Sequence, residues 1–108
     1  MRRTYALVQV ALALLDDVGG RHWGYELSKR SGVRSPVMYR ILQSMLDEGW
    51  LADGWEEQIQ AGRAKRPPRR YYELTDAGKT ELGAVIAEAR RDARFRPLLA
   101  PPIAGIST

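Results

Sequence analysis

RSPVMYRILQSMLDEGW, residues 34–50, is the stretch whose reading decides the fold. Ser35 suits an N-cap, and Pro36 suits the first helical position, where its missing N–H costs nothing. Gly49 marks the end, so the stretch predicts one helix. At about 100° per residue, Met38, Ile41, Leu42 and Met45 converge on one face, with Leu46 at its margin. Pro36, Arg40, Gln43 and Asp47 lie opposite. Such a helix is anchored on one side and offers the other to solvent or to a partner.

Upstream, apolar residues fill nearly every position from Thr4 to about Val18, so a helix there must be covered on more than one side. One small domain can hardly do that alone. Gly19-Gly20 ends this first helix, and a second short one, Tyr25 to Ser31, stops at Gly32. Downstream, Trp50 to Glu57 and Arg70 to Leu74 read as short strands carrying Trp50, Trp55, Tyr71 and Tyr72. Between them QIQAGRAKRPPR, residues 58–69, is too polar and too rich in Gly and Pro for regular structure. Thr75 then caps a fourth helix running to about Arg94, with Leu82, Val85, Ile86, Ala89 and Ala93 at helical spacing. The chain therefore reads as one domain over residues 1–95 and a flexible Pro-rich tail over 96–108.

At 108 residues there is room for a single core and none for a second, catalytic domain. The absence of cysteine excludes disulfides and thiolate metal sites and agrees with a reducing cytoplasm. The longest apolar run, Ala6 to Leu15, is too short for a bilayer, which needs about 20 residues, so no membrane partner is expected. His22 is the only histidine, and beside Gly20 and Trp23 it suits the turn before the second helix better than a catalytic triad. No enzyme, metal or cofactor is expected. The 17 basic and 13 acidic residues are unevenly spread: residues 58–74 hold five basic and one acidic, so the excess sits in the strand-to-strand loop.

Three helices, a two-stranded hairpin and a further helix make a mainly α fold in the order of a winged helix-turn-helix domain. In that architecture the third helix enters the major groove of DNA while contacts elsewhere hold it in register. Arg40 would then reach guanine and Gln43 adenine, although either could simply solvate an exposed helix. Arg63, Lys65, Arg66, Arg69 and Arg70 crowd the loop at a density that repels itself unless an anion is nearby, which suits a phosphate backbone or the minor groove. Tyr39, on the flank of the third helix, can pack on the core and reach a phosphate with its hydroxyl. Lys29, Arg30 and Arg34 surround the turn between the second and third helices, where they either contact the backbone or solvate the turn. Ser35 and Pro36 complete the candidate DNA-binding set at the helix entrance.

GYELSKRSGVRSPVMYRILQSMLDEGWL, then WEE, a basic loop and RRYYELTDAGKTEL, resembles the PadR-type transcriptional regulators over about residues 5–85. The specific parts are Gly24-Tyr25-Glu26-Leu27, Tyr39 with Leu42 and Glu48-Gly49-Trp50, and Tyr72 with Leu74-Thr75 and Gly78. The resemblance implies a homodimeric repressor on a palindromic operator, with the third helix in the major groove and the wing on the minor groove. Pairing through the first and C-terminal helices would place Tyr5, Val8, Leu12, Leu82, Val85, Ile86 and Ala89 at the dimer interface, unless the Val85, Ile86, Ala89 stripe simply packs on its own domain. Two departures stand out: Pro36 and Val37 occupy positions where the family commonly has Gly and Thr, and a long C-terminal helical domain is missing, as in the short subfamily. Any effector site would then lie within or between winged-helix domains. Trp23, Trp50 and Trp55 could line one for an aromatic or planar molecule, or serve only as core and hinge residues. A protein-interaction module on the same scaffold is the remaining alternative, against which the basic loop argues.

Overall fold

Thr4 opens the first helix, its hydroxyl oxygen accepting a hydrogen bond from the Leu7 N–H at 3.1 Å. The structure is a computed structural model, and it describes residues 2–99. The first helix, α1 (Tyr5–Leu15), buries Leu7, Val8, Val10, Ala11, Ala13 and Leu14. It lies against the second, third and fifth helices of the same chain, so this one domain does cover its apolar surface, contrary to the sequence expectation. Leu12 and Leu15 stay half-buried.

A two-residue strand, β1 (His22–Trp23), leads straight into α2 (Gly24–Ser31). Gly32 follows with φ 77°, a left-handed conformation that a side chain would strain. The next helix, α3 (Ser35–Asp47), buries Met38, Leu42 and Met45 and half-buries Ile41 and Leu46, as the periodicity predicts. Its N-cap is Arg34 and not Ser35: the Arg34 carbonyl already accepts from Met38 N at 2.8 Å, so the ladder starts one residue early.

The sheet has three strands in the order β1-β3-β2, where a two-stranded hairpin was expected. β2 (Leu51–Trp55) pairs antiparallel with β3 (Arg70–Leu74), from Leu51↔Leu74 to Trp55↔Arg70. β1 takes the other edge of β3 as His22↔Tyr72 and Trp23↔Tyr71. Two residues show no alternation, which is why this strand left no trace in the pattern. Residues 58–69 are likewise not wholly irregular, since α4 (Gln58–Arg63) occupies their first half. The helix-breaking Pro67 and Pro68 lie beyond it, and the loop's overall composition concealed a segment broken only by Gly62.

Thr75 caps α5 (Asp76–Ala89) through a 3.0 Å bond from Gly78 N to its hydroxyl. This helix ends five residues short of Arg94. Asp92 then accepts from Arg94 N at 2.9 Å and starts a 3-10 turn, Ala93–Phe95, which runs into α6 (Arg96–Leu99). Phe95 is buried beside Tyr5, with ring centroids 5.9 Å apart. The first four residues of the tail expected to be flexible, 96–99, form α6, from which Leu98 and Leu99 pack against the core; its residues 100–108 lie outside the described residues. The whole is a mainly α winged-helix fold with a small sheet, containing six α-helices among the described residues. None of them is long and apolar enough to cross a membrane.

Candidate nucleic-acid interface

The apolar face of α3 is sunk in the core, which leaves Tyr39, Arg40 and Gln43 exposed on its outer side. Tyr39 does not project freely. Its ring lies across the first residue of α2, where a Cβ on Gly24 would fall 2.3 Å from the tyrosine hydroxyl and 2.8 Å from two ring carbons. Glycine at this position is therefore what lets the ring lie there. Tyr39 still keeps 48% of its surface and lines a cavity of about 290 Å³ with Trp23, Tyr25, Trp55, Arg69 and Arg70. The flank of α3 and the base of the β2–β3 wing thus share one groove. On the other flank, Arg40 lines a cavity of about 400 Å³ with Arg2, Val37 and Ser44.

The remaining α3 candidates are accessible. Gln43 donates from Nε2 to Asp47 Oδ1 at 3.0 Å, one helical turn on, which orients its amide. Arg34, Ser35 and Pro36 are exposed at the helix entrance. Lys29 is exposed on α2, its ammonium 5.4 Å from the Tyr25 ring centre. Arg30 is also exposed but is tied to its own chain: it donates to His22 Nδ1 at 3.0 Å and lies 3.7 Å from the Asp16 carboxylate. His22 is buried, and its Nε2 is 2.8 Å from the Asp17 carbonyl. Because an arginine can only donate and a carbonyl only accept, this pair of partners calls for the tautomer protonated on Nε2. His22 ties the end of α1 to β1 and α2.

The five wing cations divide into two sets. Arg66 grips the Glu56 carboxylate with both arms of its guanidinium, one of them at 2.8 Å from Oε2. Glu56 is only 8% exposed, also accepts from Arg69 N at 3.4 Å, and lies 3.8 Å from the Arg69 guanidinium. The hydrogen bond from Arg66 outweighs partial burial and holds the Glu56 carboxyl down at about 2. Arg70 donates from Nε to Asp53 Oδ2 at 2.7 Å, which raises its own pKa further. Arg63 and Lys65, by contrast, are exposed and make no ion pair among the described residues. Glu56 and Asp53 thus supply, from within the chain, carboxylates for three of the five cations that the density of the run left without an anion. Their role was hidden in the sequence: the pair Glu56-Glu57 precedes the basic run, but nothing there tells which carboxylate turns inward.

Stacking moors the wing to the body. Arg69 lies over Trp23 at 4.5 Å, Trp23 meets Tyr71 edge-on at 5.7 Å, and Arg21 lies over Tyr71 at 4.1 Å. Trp23 and Trp55, 67% exposed, meet in the helix–wing groove, whereas Trp50 is half-buried against α5 and lines no part of it. The three tryptophans thus do not form one pocket. The residues expected at a dimer interface are also divided: Val8, Leu82, Val85, Ile86 and Ala89 are buried inside the single chain, because α5 lays its apolar stripe on α1. Tyr5 and Leu12 remain partly accessible. Among the described residues, no group of three His, Cys, Asp or Glu side chains is placed to hold a metal ion.

Compared with known proteins, the chain matches the family described as "Transcriptional regulator PadR-like family" over residues 12–84. It is similar to the solved structure of smu.1704 from Streptococcus mutans UA159, at 25% identity over 77% of this chain and 76% of that one, with a TM-score of 0.62. A PadR family regulator from Eggerthella lenta DSM 2243 is also 25% identical, over 85% of this chain and 82% of its own, with a TM-score of 0.58. A PadR family transcription regulator from Clostridium difficile R20291 shares the fold at 20% identity, covering 91% of this chain and all of that one with a TM-score of 0.67. No curated protein sequence gives a significant match.

Proposed function

The chain belongs to the PadR-like family of transcriptional regulators, and from that premise we propose that it is a cytoplasmic repressor acting as a homodimer on an inverted-repeat operator. In this reading α3 enters the major groove, with Arg40 and Gln43 at base edges. Tyr39, Lys29, Arg34 and the helix entrance at Ser35 and Pro36 meet the sugar-phosphate backbone, and the wing lies on the adjacent minor groove. The observation that carries the proposal is the shared groove in which Tyr39 of α3 faces Arg69 and Arg70 of the wing. A helix and a wing on one side of a domain can engage one duplex together.

The division among the wing cations sharpens the roles. Arg63 and Lys65 are the phosphate contacts, while Arg66, Arg69 and Arg70 shape the wing through Glu56 and Asp53. Dimerisation then uses the accessible edge of α1 around Tyr5 and Leu12 and not the buried stripe of α5. Selection of bound sequences from a random DNA pool is the test, with a spaced inverted repeat as the expected product. On that DNA, alanine at both Arg63 and Lys65 should weaken binding across sequences and reduce the salt slope by about 2, at roughly 0.9 per phosphate contact. Arg40→Ala should instead relax preference at one base position. A chain that enriches no sequence, or a double variant with an unchanged salt slope, refutes the assignment.

A second reading is favoured by the Trp23–Trp55 groove: a planar effector seated there would displace DNA directly, without occupying a site between subunits. Quenching of tryptophan fluorescence by such a ligand, lost in Trp55→Ala, would test it.

A further inference from the structure

Between β2 and β3 the chain does not turn directly, because residues 56–69 interpose α4. A helix of six residues is too short to persist alone in water. This one is held at both ends. Ala61 N donates to the Glu57 carbonyl at 3.1 Å, and beyond the helix Arg66 N returns to the Ala61 carbonyl at 3.1 Å. Lys65, at φ 57°, makes the left-handed turn that permits this return. The Arg66–Glu56 clasp then closes the loop across its base.

Within α4, Ala61 is the buried residue. Ile59 and Arg63 each lie two positions from it, about 200° round the helix, and so share the face turned away. Ile59 is 70% exposed, and α4 makes no extensive contact with any other described helix or strand. A lone exposed apolar residue is ordinary on a protein surface. Here, however, it shares a face with Arg63, and Lys65 follows two residues beyond; these are the two wing cations for which the described residues supply no carboxylate.

Charge complementarity selects the occupant of that face. The minor groove of DNA is narrow and negative, attracts arginine, and admits apolar side chains that part a base step and kink the duplex. Resting on the DNA-binding reading above, we propose that α4 enters the minor groove beside the site read by α3, wedging Ile59 at a base step while Arg63 and Lys65 hold the flanking phosphates. Binding therefore bends the operator. Flexible pyrimidine–purine steps under α4 are preferred without any hydrogen bond to their bases.

The test uses the full chain and the DNA it selects, labelled at both ends for energy transfer, so that bend and affinity are read in one titration. The wild-type protein should bend the duplex by about 20–90°. Ile59→Ala, at an exposed position that leaves the fold intact by circular dichroism, should abolish most of the bend and weaken binding about tenfold, whereas Ile59→Phe should keep both. Replacing the step under α4 by a stiff A-tract should weaken the wild type and leave Ile59→Ala unaffected. If Ile59→Ala binds and bends like the wild type, the wedge is refuted while DNA recognition stands. If Ile59→Ala changes the oligomeric state and not the bend, the face belongs to a second copy. A wild-type chain that selects no DNA overturns both readings.

Discussion

Replacing glycine by alanine at two positions of α5 should move stability in opposite directions. Gly78 lies in the first turn, where an added Cβ would stand 1.9 Å from the Trp50 carbonyl oxygen and 2.8 Å from its carbon, both backbone atoms. Neither side can yield cheaply. Thr75 N donates to that same Trp50 oxygen at 3.1 Å, the Thr75 hydroxyl donates to Gly49 O at 2.7 Å, and Gly78 N donates back to the hydroxyl at 3.0 Å. Overpacking costs about 1–3 kcal/mol, two disturbed hydrogen bonds add about 2, and alanine's helix propensity returns about 1. Gly78→Ala should therefore lose about 2–4 kcal/mol, or about 10–30 °C of Tm for a domain of this size. Gly83, in the same helix, is exposed and has nothing within 4 Å of its added Cβ. Gly83→Ala should gain about 0.5–1 kcal/mol from propensity alone. Urea denaturation followed by far-UV circular dichroism, at one fixed protein concentration, separates the two through their midpoints. Equal shifts, or a Gly78 variant within about 0.5 kcal/mol of wild type, would refute the close approach of α5 to Trp50. That contact matters for function because Trp50 leads directly into the wing.

Gly24→Ala should act on DNA more than on the fold: the atoms nearest its Cβ belong to the free end of Tyr39, which can swing aside, so stability changes by about 1 kcal/mol or less, while operator affinity falls about tenfold if Tyr39 makes the proposed phosphate contact. Gel-shift titration beside a thermal melt checks this, and unchanged affinity would remove Tyr39 from the interface. Glu56 supplies a pH dependence. Its carboxyl sits at about 2 in the folded chain against an ordinary 4.5, so its stabilisation is complete above about 4.5 and is lost as pH falls from there towards 2. Amide hydrogen exchange over residues 56–70 should show the wing loosening in that window, and Glu56→Gln should be loose at neutral pH as well. A wing equally protected at pH 3 and pH 7 would contradict the clasp.

Much of this protein is legible in its residue order because local physics is strong there. The apolar spacing of α3, the threonine cap of α5, the glycine after α2 and the pairing of β2 with β3 are each decided within a few residues, by side-chain periodicity and backbone preference. So is the crowding of positive charge in the wing and the tyrosine on the flank of α3. What those signals lack is any account of who neutralises or covers whom. Only the folded chain decides that Glu56 turns inward to Arg66 and leaves Arg63 and Lys65 without an ion pair among the described residues, since the burial of one of two adjacent glutamates depends on the path of the whole wing. Only the folded chain lays the α5 stripe on α1, where the sequence left open whether a partner subunit or the chain's own domain covers it. The two-residue β1 and the six-residue α4 are tertiary products too: neither is long enough to carry a period or to be stable alone, and each exists because an edge of β3 or a carboxylate clasp was already in place.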